Sequence, residues 1–376
     1  MGVKVTHVVR QYLPSIGGME EVVRNIALHQ ARAGHPGTRI ITLNRLFRNR
    51  EECLPEREEI HGIEVIRLPY FGSSRYPLCP KVLQHLDQAD LLHVHGVDFF
   101  YDFLAATKWL HRRPLVLSTH GGFFHTNFAS RAKETYFKTV TRLSANAYEK
   151  VVATSANDGE IFGRIMREPK LRVIENGVDV EKYAGQSAPT LQPTLIYFGR
   201  WSANKGLISA LNLFSRLQAR APQWKLIIAG REYDHTLAEL ESRVGALGLQ
   251  EQVQLVANPS DARLRQLMQQ ASYFLCLSEH EGFGIAPIEG MSAGLTPILS
   301  NIGPFQHLVD QARLGFTVAP HTSADNVVDK IFQLHEQGEY AYQERRKKAM
   351  AFVQRYAWSG VAERYLSLYE EIGGQA

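Results

Sequence analysis

Short apolar runs alternate with amphipathic stretches from one end of the chain to the other. The first run, Val3-Lys4-Val5-Thr6-His7-Val8-Val9, predicts a buried strand. Pro14 and the pair Gly17-Gly18 mark a loop after it. A helical pattern opens at Met19-Glu20-Glu21 and runs to about Ala33, where Gly34 stops it. Further strands are predicted over 39–43, 63–68, 91–95, 115–119, 151–154 and 172–174, with helical stretches between several of them. A fresh strand at 194–198 opens a second series at 225–229, 252–256, 273–277, 296–300 and 315–318. From about Asp325 the pattern is helical to the end, with breaks near Gly338 and at Trp358-Ser359-Gly360. This alternation predicts an α/β protein whose parallel sheets are covered by helices on both faces. Ligands of such sheets collect at the carboxyl ends of the strands. Residues 184–193 are small, polar and proline-containing, which is linker composition. Two domains are therefore expected, dividing at 186/187.

Composition adds limits. A length of 376 residues exceeds what one core usually serves, and 44% hydrophobic with 21% charged residues is globular. Cys53, Cys79 and Cys276 are scattered and odd in number, so neither a disulfide framework nor a metal-ligand cluster is expected, and a reduced cytoplasmic compartment fits. No signal core opens the chain and no apolar run is long enough to span a bilayer. The formal charge of +4 is uneven: residues 1–190 hold 25 Lys and Arg against 20 Asp and Glu, and the rest hold 17 against 18. A basic first half suits an anionic surface or an acidic substrate, although an ordinary solvated surface explains it as simply. Nucleic acid is not expected as a partner, because the basic residues lie beside acids and no nucleic-acid module is recognisable.

The apolar run 273–277 leads into Ser278-Glu279-His280-Glu281-Gly282-Phe283-Gly284-Ile285-Ala286-Pro287-Ile288-Glu289-Gly290. Pro287 fits a first helical turn. Residues 281–284 are thus predicted as a loop between a strand's carboxyl end and a helix N-terminus. Amides there point outward and the helix dipole favours an anion. Gly282 and Gly284 let backbone approach a ligand. Glu281 and Glu289 bracket the turn and can accept hydrogen bonds from hydroxyls. Exposed amides with two carboxylates suit a sugar joined to a phosphate. Arg200 and Lys205, at the end of the strand that opens the second half, can converge on a diphosphate, one as a planar fork and one as a point charge. As two surface cations they need no ligand.

His120 follows a strand and precedes a Gly-Gly turn, where an imidazole can meet a sugar hydroxyl; a lone histidine there is more often structural. His93 and His95 are assigned to opposite sides of their strand, which leaves no metal site between them. Neither G-x-G-x-x-G nor G-x-x-x-x-G-K-[ST] follows the first strand, so Gly17-Gly18 alone reads as a tight turn. Asn176-Gly177, after the last strand of the first half, is a turn signal too.

Taken together and in order, these pieces resemble the retaining glycosyltransferases of the two-domain GT-B fold, family four. The resemblance spans almost the whole chain. Its pieces are Ile16-Gly17-Gly18-Met19-Glu20, Ser118-Thr119-His120-Gly121, Glu175-Asn176-Gly177-Val178-Asp179, Phe198-Gly199-Arg200 with Lys205-Gly206, Glu281-Gly282-Phe283-Gly284 with Glu289, and Ala293-Gly294 with Pro297. It implies two Rossmann-like domains facing across a cleft, 1–186 and 187–356, with a C-terminal helix of about 357–376 crossing back to the first. Within the family the chain is similar to the mannosyltransferases that build acidic bacterial exopolysaccharides such as xanthan and acetan. That similarity rests on Val8-Val9-Arg10-Gln11, Gly72-Ser73-Ser74-Arg75-Tyr76-Pro77, His93-Val94-His95-Gly96-Val97-Asp98-Phe99-Phe100, Thr119-His120-Gly121-Gly122-Phe123-Phe124-His125-Thr126 and Ala229-Gly230-Arg231-Glu232-Tyr233.

The resemblance implies α-mannose transfer from GDP-mannose to a cellobiose unit on polyprenyl diphosphate, with no metal cofactor. It implies that Arg200 and Lys205 bind the donor diphosphate and stabilise the leaving group. Glu281, with the amides of Phe283, Gly284 and Ile285, would take the donor sugar, and Glu289 the ribose hydroxyls. His120 would meet the donor sugar, and Gly17 and Gly18 would leave room for phosphates or acceptor. Arg10, Tyr12 and His125 are the acceptor-side candidates. The two carboxylates invite a glycosidase reading, but the adjoining cations favour a phosphate leaving group. A lipid-linked acceptor implies a peripheral place on the inner face of the cell membrane. Residues 131–150 would serve there, with Arg131, Lys133, Lys138, Arg142 and Lys150 beside Tyr136, Phe137, Val140 and Leu143. Alternatives are a GT-B transferase of another sugar nucleotide or acceptor, a GT-B sugar-nucleotide epimerase or hydrolase, and a non-catalytic binding protein.

Overall fold

The structure, a computed structural model, describes residues 2–35, 37–47, 49, 51–74, 76–121, 135–166 and 168–374. The chain divides into two compact units, Met1–Gly177 with Trp358–Ala376, and Val178–Ala357. The division falls after Gly177, earlier than composition places it. Residues 184–193 do not behave as a linker. Their backbone is taken up by the second unit: Gly185 N donates to Ser292 O at 3.0 Å, Ser187 N to Ala293 O at 2.7 Å and Ala188 N to Ala271 O at 3.0 Å. Small residues permit that close packing as readily as they permit a mobile tether.

The first unit holds β1 (Val5–Val9), β2 (Arg39–Leu43), β3 (Arg57–Ile60), β4 (Ile63–Leu68), the hairpin β5 (Phe71–Ser73) and β6 (Tyr76–Leu78), β7 (Leu91–His95), β8 (Leu115–Ser118), β9 (Lys150–Ala153) and β10 (Leu171–Val173). The sheet order is β10-β9-β8-β7-β1-β2-β4-β3, parallel except for β3. Strands β1, β2 and β7 are buried along their whole length, as continuous apolar runs in a covered parallel sheet must be. The edge strand β3 reads Arg-Glu-Glu-Ile and escaped the hydrophobic pattern. Helices α1 (Gly18–Arg32), α2 (Phe99–Ala106), α3 (Lys108–His111), α4 (Arg142–Ala145) and α5 (Ala156–Phe162) belong to this unit. Asp98 caps α2 by accepting from Phe100 N at 2.9 Å, and Ser155 caps α5 by accepting from Asp158 N at 3.1 Å.

The second unit has β11 (Thr194–Trp201), β12 (Lys225–Glu232), β13 (Val253–Ala257), β14 (Tyr273–Cys276), β15 (Thr296–Ser300) and β16 (Phe316–Val318), all parallel in the order β13-β12-β11-β14-β15-β16. Its helices are α6 (Leu207–Arg220), α7 (Leu237–Ala246), α8 (Asp261–Met268), α9 (Ile285–Ala293), α10 (Gly303–Ala312), α11 (Ala324–Glu336) and α12 (Gly338–Val353). One core joins the sheet to them, from Leu195 and Phe198 to Ile288, Phe305 and Val353. The last helix, α13 (Trp358–Gly373), packs on the first unit, burying Trp358, Tyr365 and Tyr369 against Val5, Val22 and Leu91. The Asn176-Gly177 turn makes this possible, because a Cβ at Gly177 would lie 2.4 Å from the Trp358 ring.

Both strand orders reverse once, between β1 and β7 in the first sheet and between β11 and β14 in the second. Loops leave such a pair of strands in opposite directions and open a crevice at their carboxyl ends.

Candidate functional site

At the second reversal the end of β11 supplies Arg200 and Lys205, and the loop after β14 supplies Glu281. The turn before α6 approaches β14 so closely that a Cβ at Gly206 (φ 67°) would sit 2.0 Å from Leu277 O. That approach brings Lys205 Nζ onto Glu281 Oε1 as an ion pair whose side chains are 16% and 14% exposed. Ser278 Oγ donates to the same Oε1 at 2.9 Å. The loop is tied back to the turn by Glu279 N donating to Asn204 O at 2.8 Å and Asn204 Nδ2 donating to His280 O at 3.0 Å. Arg200 takes another direction, with its exposed guanidinium 4.8 Å above the Tyr233 ring. Convergence of the two cations is thus not what the side chains display: one is ion-paired, the other stacked.

Gly284, at φ 96°, is the N-cap of α9, and a Cβ there would meet the Phe305 ring at 2.9 Å. Nine residues of helix follow, with Ile285 exposed at the start, so the first amides of α9 form an anion-favouring end. Phe283 packs edge-on to Tyr356 at 5.7 Å. Glu289 lies within α9. Desolvation raises its carboxyl pKa to about 7; Lys182 opposes this, and Asp179 and Asp261 add to it. The Lys182 ammonium is itself committed to Asp261 at 2.9 Å, and Tyr183 OH donates to that same Oδ1 at 2.9 Å. This Lys182–Tyr183–Asp261 group was missed by sequence reasoning, since Asp261 lies 78 positions from Tyr183. A groove lined by Pro193, Thr194, Lys225 and Gln252 lies at the opposite, amino ends of the strands.

In the first unit, Gly17 caps α1 in an extended conformation and Gly18 begins it, with no atom within 4 Å of a Cβ built on Gly18. Arg10 lies 5.9 Å over the Phe47 ring. Tyr12 is only 2% exposed and packs with Val9, Val23 and Ala27, which removes it from the side chains open to an acceptor. Burial pushes its phenol up to about 12. His125, Arg131 and Lys133 lie outside the described residues. Of the residues expected on a membrane face, Lys150 is buried and paired with Glu371 at 2.7 Å, and Phe137 is in the core.

His120 stands at φ 54° just past β8, where its Nε2 lies 2.9 Å from His95 Nδ1. Desolvation lowers its pKa to about 3, although part of the residue's surface remains accessible. The expected separation of His93 from His95 fails. Residues two apart on a strand share a face, and their ring centroids are 4.0 Å apart. His7 joins them from β1, opposite His93 in the register. The three rings bring nitrogens within 4.8 Å of one another, metal-ligand spacing by distance alone. Yet all six nitrogens have hydrogen-bond neighbours. His7 meets His95 Nε2 at 3.0 Å and Gln30 Oε1 at 3.0 Å, His93 meets Tyr369 OH at 2.6 Å and Ser118 Oγ at 2.8 Å, and His95 Nδ1 meets His120. Burial lowers His7 to about 4 and takes His93 and His95 well below the ordinary histidine value, so the trio is neutral at pH 7.

Two doubly wound units in one chain, the second with a cation–carboxylate pair and a helix N-terminus at its strand reversal, are the architecture of the GT-B glycosyltransferases. Residues 16–182 match the family described as Glycosyltransferase Family 4, and residues 180–351 match Glycosyl transferases group 1. The chain is 52% identical to the GDP-mannose:cellobiosyl-diphosphopolyprenol alpha-mannosyltransferase of Xanthomonas campestris, over 97% of this chain and 96% of that one. It is 41% identical to the enzyme of the same name from Komagataeibacter xylinus, over 99% and 94%. Among solved structures, a glycosyltransferase from Rickettsia africae shares the fold with a TM-score of 0.75 at 19% identity, covering 99% of this chain and 98% of that one. The chain belongs to glycosyltransferase family four, and it is an enzyme of that activity.

Proposed function

We propose that the protein transfers α-mannose from GDP-mannose to a cellobiosyl-diphosphopolyprenol acceptor, with retention at the anomeric carbon. The observation that carries this reading is near full-length identity of 41% and 52% to enzymes named for that reaction. The site chemistry supports it. Lys205 has three donors, enough to bridge Glu281 and a diphosphate oxygen, and the oxygens of Glu281 can accept from sugar hydroxyls. Arg200 and the first amides of α9 complete an anion-binding set that stabilises the departing GDP. Phe283, Gly284 and Ile285 offer those amides, and Glu289 is assigned to the ribose. His120 is assigned to the transferred sugar, and the space at Gly17 and Gly18 to phosphate or acceptor. The acceptor oxygen bonds to the anomeric carbon on the face that the phosphate leaves. The departing phosphate oxygen keeps the electron pair of the broken bond and takes the acceptor's proton. Lys205, Arg200 and α9 supply the charge a metal would otherwise carry, so no metal is assigned.

The test is labelled GDP-mannose against lipid extract carrying cellobiosyl-diphosphopolyprenol, in EDTA, beside a panel of other sugar nucleotides. Label entering the lipid phase from GDP-mannose in preference to the panel is expected. Glu281→Gln and Lys205→Ala should each lower kcat by about 100-fold or more, the scale of a lost transition-state contact. Preference for another donor, or rapid release of free mannose without acceptor, would overturn the assignment, the latter in favour of a hydrolase.

A lipid-linked acceptor calls for contact with a membrane, and no helix among the described residues is long and apolar enough to cross one. We propose that the first unit rests on the inner face of the cell membrane through α3 and α4, which both pack on α2. Trp109 is 76% exposed and Leu143 72%, with Leu110 and Val140 exposed beside them. Arg112, Lys138 and Arg142, close to them in sequence, are exposed as well. Apolar side chains rimmed by cations suit an anionic lipid surface.

A further inference from the structure

Gln30 is the anomaly of helix α1. The buried face of that helix is otherwise apolar, with Val22, Val23, Ile26 and Ala27, and Gln30 is wholly buried among them. A buried amide is costly unless it is hydrogen-bonded. Its carbonyl oxygen is 3.0 Å from His7 Nε2, and from there imidazoles run ring to ring, His7 to His95 at 3.0 Å and His95 to His120 at 2.9 Å. The chain starts in the packed interior behind β1 and ends on the residue assigned to the transferred sugar.

A neutral imidazole carries one donor and one acceptor, so each link dictates the next. With Gln30 Oε1 as acceptor, His7 donates from Nε2 and leaves Nδ1 as acceptor. His95 Nε2–H then donates to His7 Nδ1, and His120 Nε2–H donates to His95 Nδ1. His120 Nδ1 is left with a lone pair. Every ring in this sense carries its proton on Nε2, the form a neutral imidazole prefers in water. Turning the Gln30 amide round would force all three into the less favoured form. The orientation of the amide and the intrinsic preference of the rings thus agree. Desolvation keeps the rings from taking a second proton, which would break the sequence of donors and acceptors. A side branch holds the ring planes: His93 lies 4.0 Å from His95 and bonds Tyr369 OH and Ser118 Oγ, and Ser118 Oγ reaches Tyr365 OH at 3.1 Å.

We propose that Gln30, His7 and His95 are positioning residues that hold His120 with its proton on Nε2, so that Nδ1 accepts a hydrogen bond from a hydroxyl of the transferred sugar. The inference rests on the assignment of His120 to that sugar, and it adds the residues that give His120 its polarity. An acceptor nitrogen there selects a hydroxyl that can turn its proton inward, as the same tautomer logic does for ligating histidines.

The experiment is long-range proton–nitrogen correlation on the full-length protein with nitrogen-15-labelled histidine, together with steady-state kinetics. Wild-type His120 should show a protonated Nε2 and a bare Nδ1, a measurement that needs no variant. Gln30→Met keeps the shape and deletes the acceptor. It should spread His120 over both tautomers and lower kcat roughly tenfold with little change in donor KM, the size of effect that outer-shell partners of histidine produce. His7→Gln retains one donor and one acceptor and should keep the His120 tautomer; His7→Phe should lose it. A merely structural role for Gln30 would lower stability without moving the tautomer. A wild-type His120 protonated on Nδ1, or a Gln30→Met spectrum like wild type, overturns the inference and leaves the site reading standing. His120→Ala at wild-type rate would instead overturn the assignment of His120 to the sugar, and the kinetic half of the inference with it.

Discussion

Titrating donor binding through neutrality tests the assignment of Glu289 to the ribose. Burial lifts this carboxyl from an ordinary 4.5 to about 7. Lys182, the cation that opposes this shift, is held by Asp261 at 2.9 Å and does little to reverse it. A ribose hydroxyl donating to Glu289 favours the carboxylate over the acid. Binding should therefore draw a proton off the protein below pH 7 and strengthen as pH rises through 7. With a midpoint near 7, about a tenth of the free protein is ionised at pH 6 and about nine tenths at pH 8, so the Kd for GDP-mannose should improve roughly tenfold, about 1.4 kcal/mol. The diphosphate diester has no proton to exchange in that window. Folding stability runs the other way. The folded-state pKa is raised, so the native state holds the proton longer than the unfolded chain. Stability from this group then declines between pH 4.5 and about 7, by at most about 3 kcal/mol. Calorimetric titration at pH 6, 7 and 8, in buffers of different ionisation enthalpy, measures Kd and proton release together. Glu289→Gln should bind with a flat pH profile and release no proton. Asp98, raised by burial to about 6, is another carboxylate that titrates nearby in pH, and the Gln variant subtracts it. A flat profile in the wild type, or the same slope in Glu289→Gln, would refute the reasoning.

Further expectations concern packing and surface. Gly206→Ala puts a Cβ 2.0 Å from Leu277 O at a φ of 67°. It should cost at least about 2 kcal/mol in thermal or denaturant unfolding. Gly18→Ala meets no atom within 4 Å and should leave the unfolding midpoint in place, so a raised donor or acceptor KM in that variant would report ligand space at Gly18. On the membrane, Trp109→Ser with Leu143→Ser should reduce cosedimentation with phosphatidylglycerol vesicles. Arg112→Glu with Arg142→Glu should reduce it more than tenfold, at about 1 kcal/mol for each cation lost near an anionic surface. Unchanged sedimentation of both pairs would remove α3 and α4 from the membrane face.

Most of the fold was legible because buried parallel strands are continuous apolar runs, and a run such as Ile-Ile-Thr-Leu is visible without knowing its neighbours. What escaped was polar, short or at an edge. Strand β3 exposes half its residues to solvent, and β5 and β6 have three residues each. The misplaced division has a different cause. Composition reports how small residues 184–193 are, whereas their backbone hydrogen bonds to 271, 292 and 293 decide which unit owns them. The site was legible where it is local. Strand, glycines and helix N-terminus follow one another from 273 to 289, so the Glu281 loop announced itself. Its ion pair with Lys205 did not, because 76 positions and the β11–β14 pairing lie between them.

The histidines show how far such reasoning reaches. Spacing alone puts His93 and His95 on one face, and a corrected use of the strand period would have found that pair. His7 needs one more fact, that β1 pairs with β7 in a register that sets His7 against His93. Gln30 needs another, that α1 turns its buried face onto β1. These last two facts are not properties of a segment; the register of His7 belongs to the strand reversal, where one fold rule sends two distant strands side by side with their carboxyl ends together. In the second unit the reversal gathers charge, Lys205 against Glu281. In the first it gathers neutral rings held uncharged by burial. The charged members of a site can be singled out by residue type at strand ends even where their pairing cannot, since Lys, Arg and Glu advertise a polar site wherever they fall. A neutral chain of imidazoles advertises nothing, because buried histidines read as core until their order of donors and acceptors is traced to the residue at its end.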